Sequence, residues 1–190
     1  MRKIFRNFVI ILSIFITFPL WAPAKVCLAF GNENVFVSFG QLLSLIPGSV
    51  GNMLRRGYFI LCLEHVAWDC GIGFGTWFSH AAIKVEPGVS IGAHCLIGMC
   101  HISKNTLIGS NVDILSGRRQ HNFCNREINI SKQRGTFQAI KIGSDCWIGN
   151  SAVVMADVGN HCVVGAGSVV VKPVPNNSVS VGNPAKIMQR

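Results

Sequence analysis

The chain has 190 residues, enough for a single core of ordinary domain size. Lys and Arg outnumber Asp and Glu by 17 to 8, a formal net charge of +9 on a chain only 13% charged, which directs attention to an anionic partner. Arg2, Lys3, Arg6, Arg55, Arg56, Arg118, Arg119, Lys132, Arg134, Lys172 and Lys186 are scattered without aromatic interleaving. That pattern argues against nucleic acid and for a phosphorylated cosubstrate or an anionic membrane surface.

Phe8 to Ala24 runs without a charge behind a basic start, just short of the ~20 residues that cross a bilayer. Four readings of this segment compete. It fits a secretory signal peptide with small residues at Ala22-Pro23-Ala24, or a single anchor prolonged by Val26 to Phe30. It also fits a membrane hairpin or interfacial element, entering over Phe8 to Phe30, returning over Val35 to Val50, and broken at Pro19, Pro23 and Gly31. The last reading is a helical subdomain covering the end of the following domain. Basic clusters at both borders of the apolar region favour the hairpin or interfacial element and keep the remainder cytoplasmic. Residues 1–66 are therefore expected to be a helical, membrane-associating segment at the cytoplasmic face of a bacterial membrane, and residues 67–190 a second domain.

From Val85 to Val170 an aliphatic residue returns about every six positions: Val85, Ile91, Ile97, Ile102, Ile108, Ile114, then Ile142, Ile148, Val154, Val158, Val164 and Val170. Neither a helix at 3.6 nor a strand at 2 produces that period, so the fold itself repeats, as a solenoid. Ile72 and Phe78 are weaker, earlier copies. Two residues before each aliphatic stands a small or β-branched residue (Val89, Cys95, Cys100, Thr106, Val112, Cys146, Ala152, Ala156, Cys162, Ser168), sharing the buried face of a short strand. Gly92, Gly98, Gly109, Gly143, Gly149, Gly159 and Gly165 follow the aliphatics, where they are expected to permit tight corners. Steps shortened to five residues at 97–102 and four at 154–158 predict a shifted corner or bulge. A solenoid with a flat side and a bare end is expected to pack against copies of itself.

The repeat falls silent across 115–139, and that loop is the candidate for chemistry. It holds Ser116, Gly117, Arg118, Arg119, Gln120, His121, Asn122 and Phe123 in sequence. An imidazole with an ordinary pKa near 6.5 takes a proton from an attacking hydroxyl or amine at neutral pH, and Gln120 and Asn122 are placed to orient it. A solvated loop histidine is the alternative. Four of the eight cysteines occupy inward repeat positions and no CxxC pair occurs, which points to reduced thiols acting as small buried residues.

The "SGRRQHNF" loop, the "CWIGNSAVVMADVG" resumption, "VVGAGSVVVKPVP" and the closing "VGNPAKI" together resemble the hexapeptide-repeat acyltransferases, close to the acetyltransferases encoded with polysaccharide biosynthesis enzymes. The resemblance covers Ile72 to the C-terminus, and "LLSLIPGSVGNMLRRGYF" resembles a subset of the group. It implies an all-β left-handed parallel β-helix, a homotrimer, and acetyl-CoA as donor in the groove between subunits, with a carbohydrate acceptor and no metal. It further implies that His121 is the base, without a covalent acyl-enzyme, and that Trp147 lines the site beside the acyl chain. Gly165, Ala166, Gly167 and Ser168 match the pantetheine-contacting turn, and Lys172 and Lys186 match positions that meet the cofactor's phosphates. Arg118 and Arg119 are candidates to hold an anionic acceptor.

The pattern is departed from in two places. His94 stands nearest to where related enzymes carry an Asn for the acceptor or oxyanion, leaving a backbone N–H or Asn122 as oxyanion donor. The last basic position of the phosphate-binding tail reads Gln189, with Arg190 one residue late. Two further classes share such a solenoid: a γ-class carbonic anhydrase-like zinc enzyme, which needs three converging histidines, and a non-catalytic trimeric scaffold.

Overall fold

The computed structural model describes residues 2–188; Gln189 and Arg190, the departure noted in the tail, lie outside them. Three helices come first: α1 (Arg2–Ala29), α2 (Asn34–Ser44) and α3 (Gly48–Cys62). Contrary to the expectation of breaks at Pro19 and Pro23, α1 runs through both prolines, and Gly31 in the turn that follows has φ +73°. Packing along α3 outweighs the two backbone hydrogen bonds the prolines remove.

Short strands then wind into a parallel β-helix. The first coil is β1 (His65–Val66), β2 (Gly71–Ile72) and β3 (Trp77–Phe78), and the second is β4 (Lys84–Val85), β5 (Ser90–Ile91) and β6 (Leu96–Ile97). The third is β7 (Cys100–Ile102), β8 (Leu107–Ile108) and β9 (Asp113–Ile114); after the loop come β10 (Ile140–Ile142), β11 (Trp147–Ile148) and β12 (Val153–Val154). The fifth coil continues through Val158 into β13 (Val163–Val164) and β14 (Val169–Val170). An antiparallel hairpin of β15 (Val179–Gly182) and β16 (Ala185–Met188) ends the described chain. Equivalent strands stack into three sheets: face A (β1, β4, β7, β10), face B (β2, β5, β8, β11, β13, β15, β16) and face C (β3, β6, β9, β12, β14). In register, Ile91 pairs with Ile108 and Ile148 with Val164, so the repeated aliphatics form continuous columns inside the prism. All twelve, and their partners two residues earlier, are buried.

The glycines after the aliphatics act differently from expectation. None of Gly92, Gly98, Gly109, Gly143, Gly149, Gly159 and Gly165 has positive φ; a β-carbon on Gly98 would meet the Ile114 carbonyl oxygen of the next coil at 2.7 Å. They allow coils to stack closely. After six of the seven, all but Gly98, the left-handed corner falls two residues further on, at His94, Asn111, Asp145, Ser151, His161 and Gly167, and Asn105 holds a like corner after Ser103, with φ between 54° and 67°. The edge from face C back to face A has no such uniform corner. Both shortened steps and the long loop fall on this edge.

The helices cover the first coil. Phe36, Tyr58 and Phe59 are buried, Phe59 meets Phe78 edge-on at 4.5 Å, and the Tyr58 hydroxyl donates to the Phe36 carbonyl. Arg55, expected at a membrane border, is instead interior: it donates to the carbonyls of Leu43, Ser44 and Ile46 at the end of α2, and to Ile72 of the first coil. Arg56 donates to the Cys70 carbonyl. The proposed returning limb is thus used as a cap, since Phe36 and Leu43 of α2 belong to the core. α1 is two-sided: Ile10, Ser13, Thr17 and Ala24 are buried, while Phe8, Ile11, Phe15 and Phe18 are exposed.

Candidate active site

The loop between β9 and β10 leaves and rejoins the prism at the C-to-A edge as an irregular two-limbed ribbon. Its base is set by Ser116, whose hydroxyl accepts the Met99 N–H at 2.9 Å while its carbonyl accepts from Gln138. Further out, the Thr136 N–H donates to the Arg119 carbonyl, and His121 bridges Arg134. Gly135 sits against the Gln120 carbonyl, so its lack of a side chain lets the limbs close. His121 is therefore positioned by a backbone pairing, and its side chain is exposed.

Its sequence neighbours do not orient it. The Gln120 side chain donates to the Gly117 carbonyl at 3.4 Å, and the Asn122 side-chain Oδ1 accepts the Cys124 N–H at 3.1 Å, turning the chain locally. Both corrections have one cause: short polar side chains in an irregular segment satisfy nearby backbone first. The ribbon is strongly basic, with Arg118, Arg119, Arg126, Lys132 and Arg134 against Glu127 alone. Between it and the C-to-A edge lies a cleft of about 560 Å³, lined by Arg118, Arg119, Phe123 and Gln138 on the ribbon side and by Met155, Asp157 and Pro173 on the prism side. No motif in the sequence marks Phe123 or Asp157 as a site residue; the shortened step from Val154 to Val158 is the signal that Asp157 stands on this edge.

The remaining predicted residues lie elsewhere on the prism. Lys172 is exposed at the same C-to-A edge, one coil beyond the ribbon's return. Gly165 to Ser168 form the opposite, B-to-C corner of that coil, with face C between them and Lys172. Here the Ser168 hydroxyl is buried and accepts the Gly182 N–H at 3.0 Å, so it secures the terminal hairpin and does not face outward. Gly167 opens onto free space, and the amides of Gly165 and Gly167 are engaged by Ser180 and Asn150. The outward-facing part of the corner is the backbone of Ala166 and Gly167. Lys186 pairs with Val181 in the terminal hairpin, exposed.

Trp147 projects from face B at 58% exposure, in register between Leu107, also exposed, and Val163. One chain thus distributes these residues over two edges and a face. His94 occupies a left-handed corner and meets Phe74 edge-on at 5.2 Å. The other histidines are spread as well: His80 pairs with Glu33, His101 with Glu86 and His161 with Asp145. Among the described residues no group of three His, Cys, Asp or Glu side chains converges as metal ligands would.

Residues 139–172 match the family model for the bacterial transferase hexapeptide (six repeats). No curated protein matches the chain. Among solved structures, a maltose O-acetyltransferase from Clostridium difficile 630 is similar at 20% identity and a TM-score of 0.72, over 82% of this chain and 84% of that one. A hexapeptide-repeat containing acetyltransferase from Vibrio cholerae O1 biovar eltor, complexed with acetyl coenzyme A, is similar at 21% identity and TM-score 0.68, over 83% and 87%. A galactoside acetyltransferase in complex with coenzyme A is similar at 22% identity and TM-score 0.65, over 81% and 80%. The chain therefore carries the bacterial transferase hexapeptide repeat, on a fold shared with hexapeptide-repeat acetyltransferases.

Proposed function

We propose that the protein is an acyl-CoA-dependent O-acyltransferase that moves acetyl from acetyl-CoA to a sugar hydroxyl in polysaccharide or glycolipid biosynthesis. The observation that carries this reading is the ribbon: a regular solenoid interrupted once, by a basic segment that carries the exposed imidazole of His121 and whose Arg118, Arg119 and Phe123 line a cleft against the prism. His121 takes the proton of the acceptor hydroxyl as its oxygen attacks the thioester carbonyl. The new C–O bond forms, the C–S bond breaks, and the departing thiolate receives the proton from the imidazolium. No acyl-enzyme intervenes. The arginines and lysines of the ribbon and of the C-to-A edge suit the phosphates of the donor or an anionic acceptor.

The site is completed between copies in a homotrimer. Two features support this. His121 and the Ala166–Gly167 corner stand on different edges of one prism, and face B presents exposed Leu107, Trp147 and Met188 to solvent, an apolar strip suited to a second copy. The enzyme works at the cytoplasmic face of the membrane. α1, which is long and apolar enough to cross a bilayer, already spends one side on α3, so it lies in the interface with Phe8, Ile11, Phe15 and Phe18 turned to lipid.

The decisive experiment incubates the purified protein with labelled acetyl-CoA and a panel of nucleotide sugars and lipid-linked glycan intermediates, following free thiol and labelled product together. Acceptor-dependent thiol release supports the assignment. Absence of turnover with every sugar acceptor, with acetyl-CoA unbound by calorimetry, removes it and leaves the scaffold.

A further inference from the structure

The ribbon that carries His121 is tied to the body of the protein through a contact that begins in the helical cap. Phe137, in the returning limb, sets its ring edge-on against the imidazole of His80, with centroids 5.4 Å apart and planes at 63°. Its neighbours Thr136 and Gln138 donate backbone hydrogen bonds to Arg119 and Ser116 in the outgoing limb, so Phe137 is locked in register with the segment leading to His121. His80 stands at the C-to-A edge of the first coil. There its Nδ1 lies 2.6 Å from one carboxylate oxygen of Glu33, whose other oxygen accepts the Ala81 N–H at 3.0 Å. Glu33 immediately precedes α2. One carboxylate thus holds both the ring and the backbone of a single corner, and the ring becomes a fixed plate under Phe137.

Core packing does not explain this chain of contacts. Phe137 is 51% exposed, and the side chains of His80 and Glu33 are only partly covered. A phenylalanine at a solvent-facing edge contributes little by burial, whereas fixing a loop that bears a reacting group has a steep effect on rate, since displacements near 1 Å cost up to ~10²-fold.

We propose that Glu33 and His80 are positioning residues that hold Phe137, and through it the ribbon, so that His121 meets the acceptor hydroxyl. This rests on the reading of His121 as the base. The test compares the full-length wild type with Phe137→Ala, Phe137→Tyr, Glu33→Ala and the double variant E33A/F137A, in steady-state turnover of acetyl-CoA and in amide hydrogen exchange. Phe137→Ala and Glu33→Ala are each expected to lower kcat on the order of tenfold with KM for acetyl-CoA within about twofold of wild type, while Phe137→Tyr retains kcat. The double variant is expected to be no slower than Phe137→Ala, because both changes cut the same linkage. In Glu33→Ala the Thr136 and Gln138 amides are expected to exchange faster, with the melting temperature close to wild type.

An active wild type beside an unimpaired Phe137→Ala, or a multiplicative loss in the double variant, overturns the proposal. Unchanged exchange at Thr136 and Gln138 in Glu33→Ala overturns it independently of any activity. A wild type that never consumes acetyl-CoA strikes instead at the acyltransferase reading.

Discussion

A β-carbon built on Gly92 would lie 2.6 Å from the carbonyl carbon of Gly109, the equivalent glycine one coil further along. Atoms do not approach that closely without the backbone shifting. Gly92→Ala is therefore expected to destabilise the protein by about 1–3 kcal/mol through forced separation of two coils. Thermal or urea unfolding measures it. Gly167→Ala should instead show only a backbone cost, because open space surrounds that position and φ is +67°.

His121→Ala should lower kcat by ~10²–10⁴-fold and leave KM for acetyl-CoA near its wild-type value, as expected for a lost general base. If copies share the site, co-refolding His121→Ala with a Gly167→Trp variant should regain part of the activity that neither has alone. Full activity in His121→Ala would remove the base assignment.

Arg55→Lys is expected to behave as a severe substitution despite keeping the charge. The guanidinium serves four carbonyls at 2.8–3.3 Å from two elements, and a single ammonium does not reach them all. Losing these hydrogen bonds from a buried cation should cost about 2–4 kcal/mol, with hydrogen exchange rising first at the end of α2 and in the first coil.

Burial pushes the Cys62 thiol up to about 11 and the Cys70 thiol to about 12 from the ordinary 9.0, since a thiolate there would lose its solvent. Thiols of the unfolded chain ionise near pH 9 while these do not. Their contribution is fully present below that pH and is lost as pH rises through 9 toward 11–12, at about 1.4 kcal/mol per unit per thiol. A melting series should fall over that window. At pH 8, a thiol reagent should reach the exposed Cys124 well before the six buried cysteines.

Phe15→Asp should abolish flotation with anionic phospholipid vesicles and leave the melting temperature nearly unchanged, because Phe15 is 80% exposed and contributes nothing to the helical cap. Ser13, on the opposite side of α1, supplies the contrast: it touches Gly57 of α3, so Ser13→Leu should destabilise the fold.

Much of the solenoid was legible because its rule is local. A triangular coil places the same kind of side chain inward every sixth residue, so Ile91, Ile108 and Ile148 announce themselves without any knowledge of what lies beside them. The ribbon was legible in the same way, as a stretch where that rule lapses around His121. The glycines show where such reading stops: the six-residue period locates Gly92 and Gly98 but carries no information on the distance between coils, which is what makes glycine necessary there. Hydropathy likewise treats α1 and α2 alike. Only the meeting of surfaces decides that Phe36 is core, Phe15 faces outward and Arg55 is an interior clamp.

The amino-acid sequence alone determined the repeated coil and the place of its interruption, and it marked His121 as the candidate imidazole within that interruption. Tertiary structure decided which distant positions meet: Asp157 across a cleft from Arg118, and Glu33 with His80 under Phe137. The physical reason is that a period is written into neighbouring residues, whereas a contact between separate coils depends on how every intervening turn accumulates.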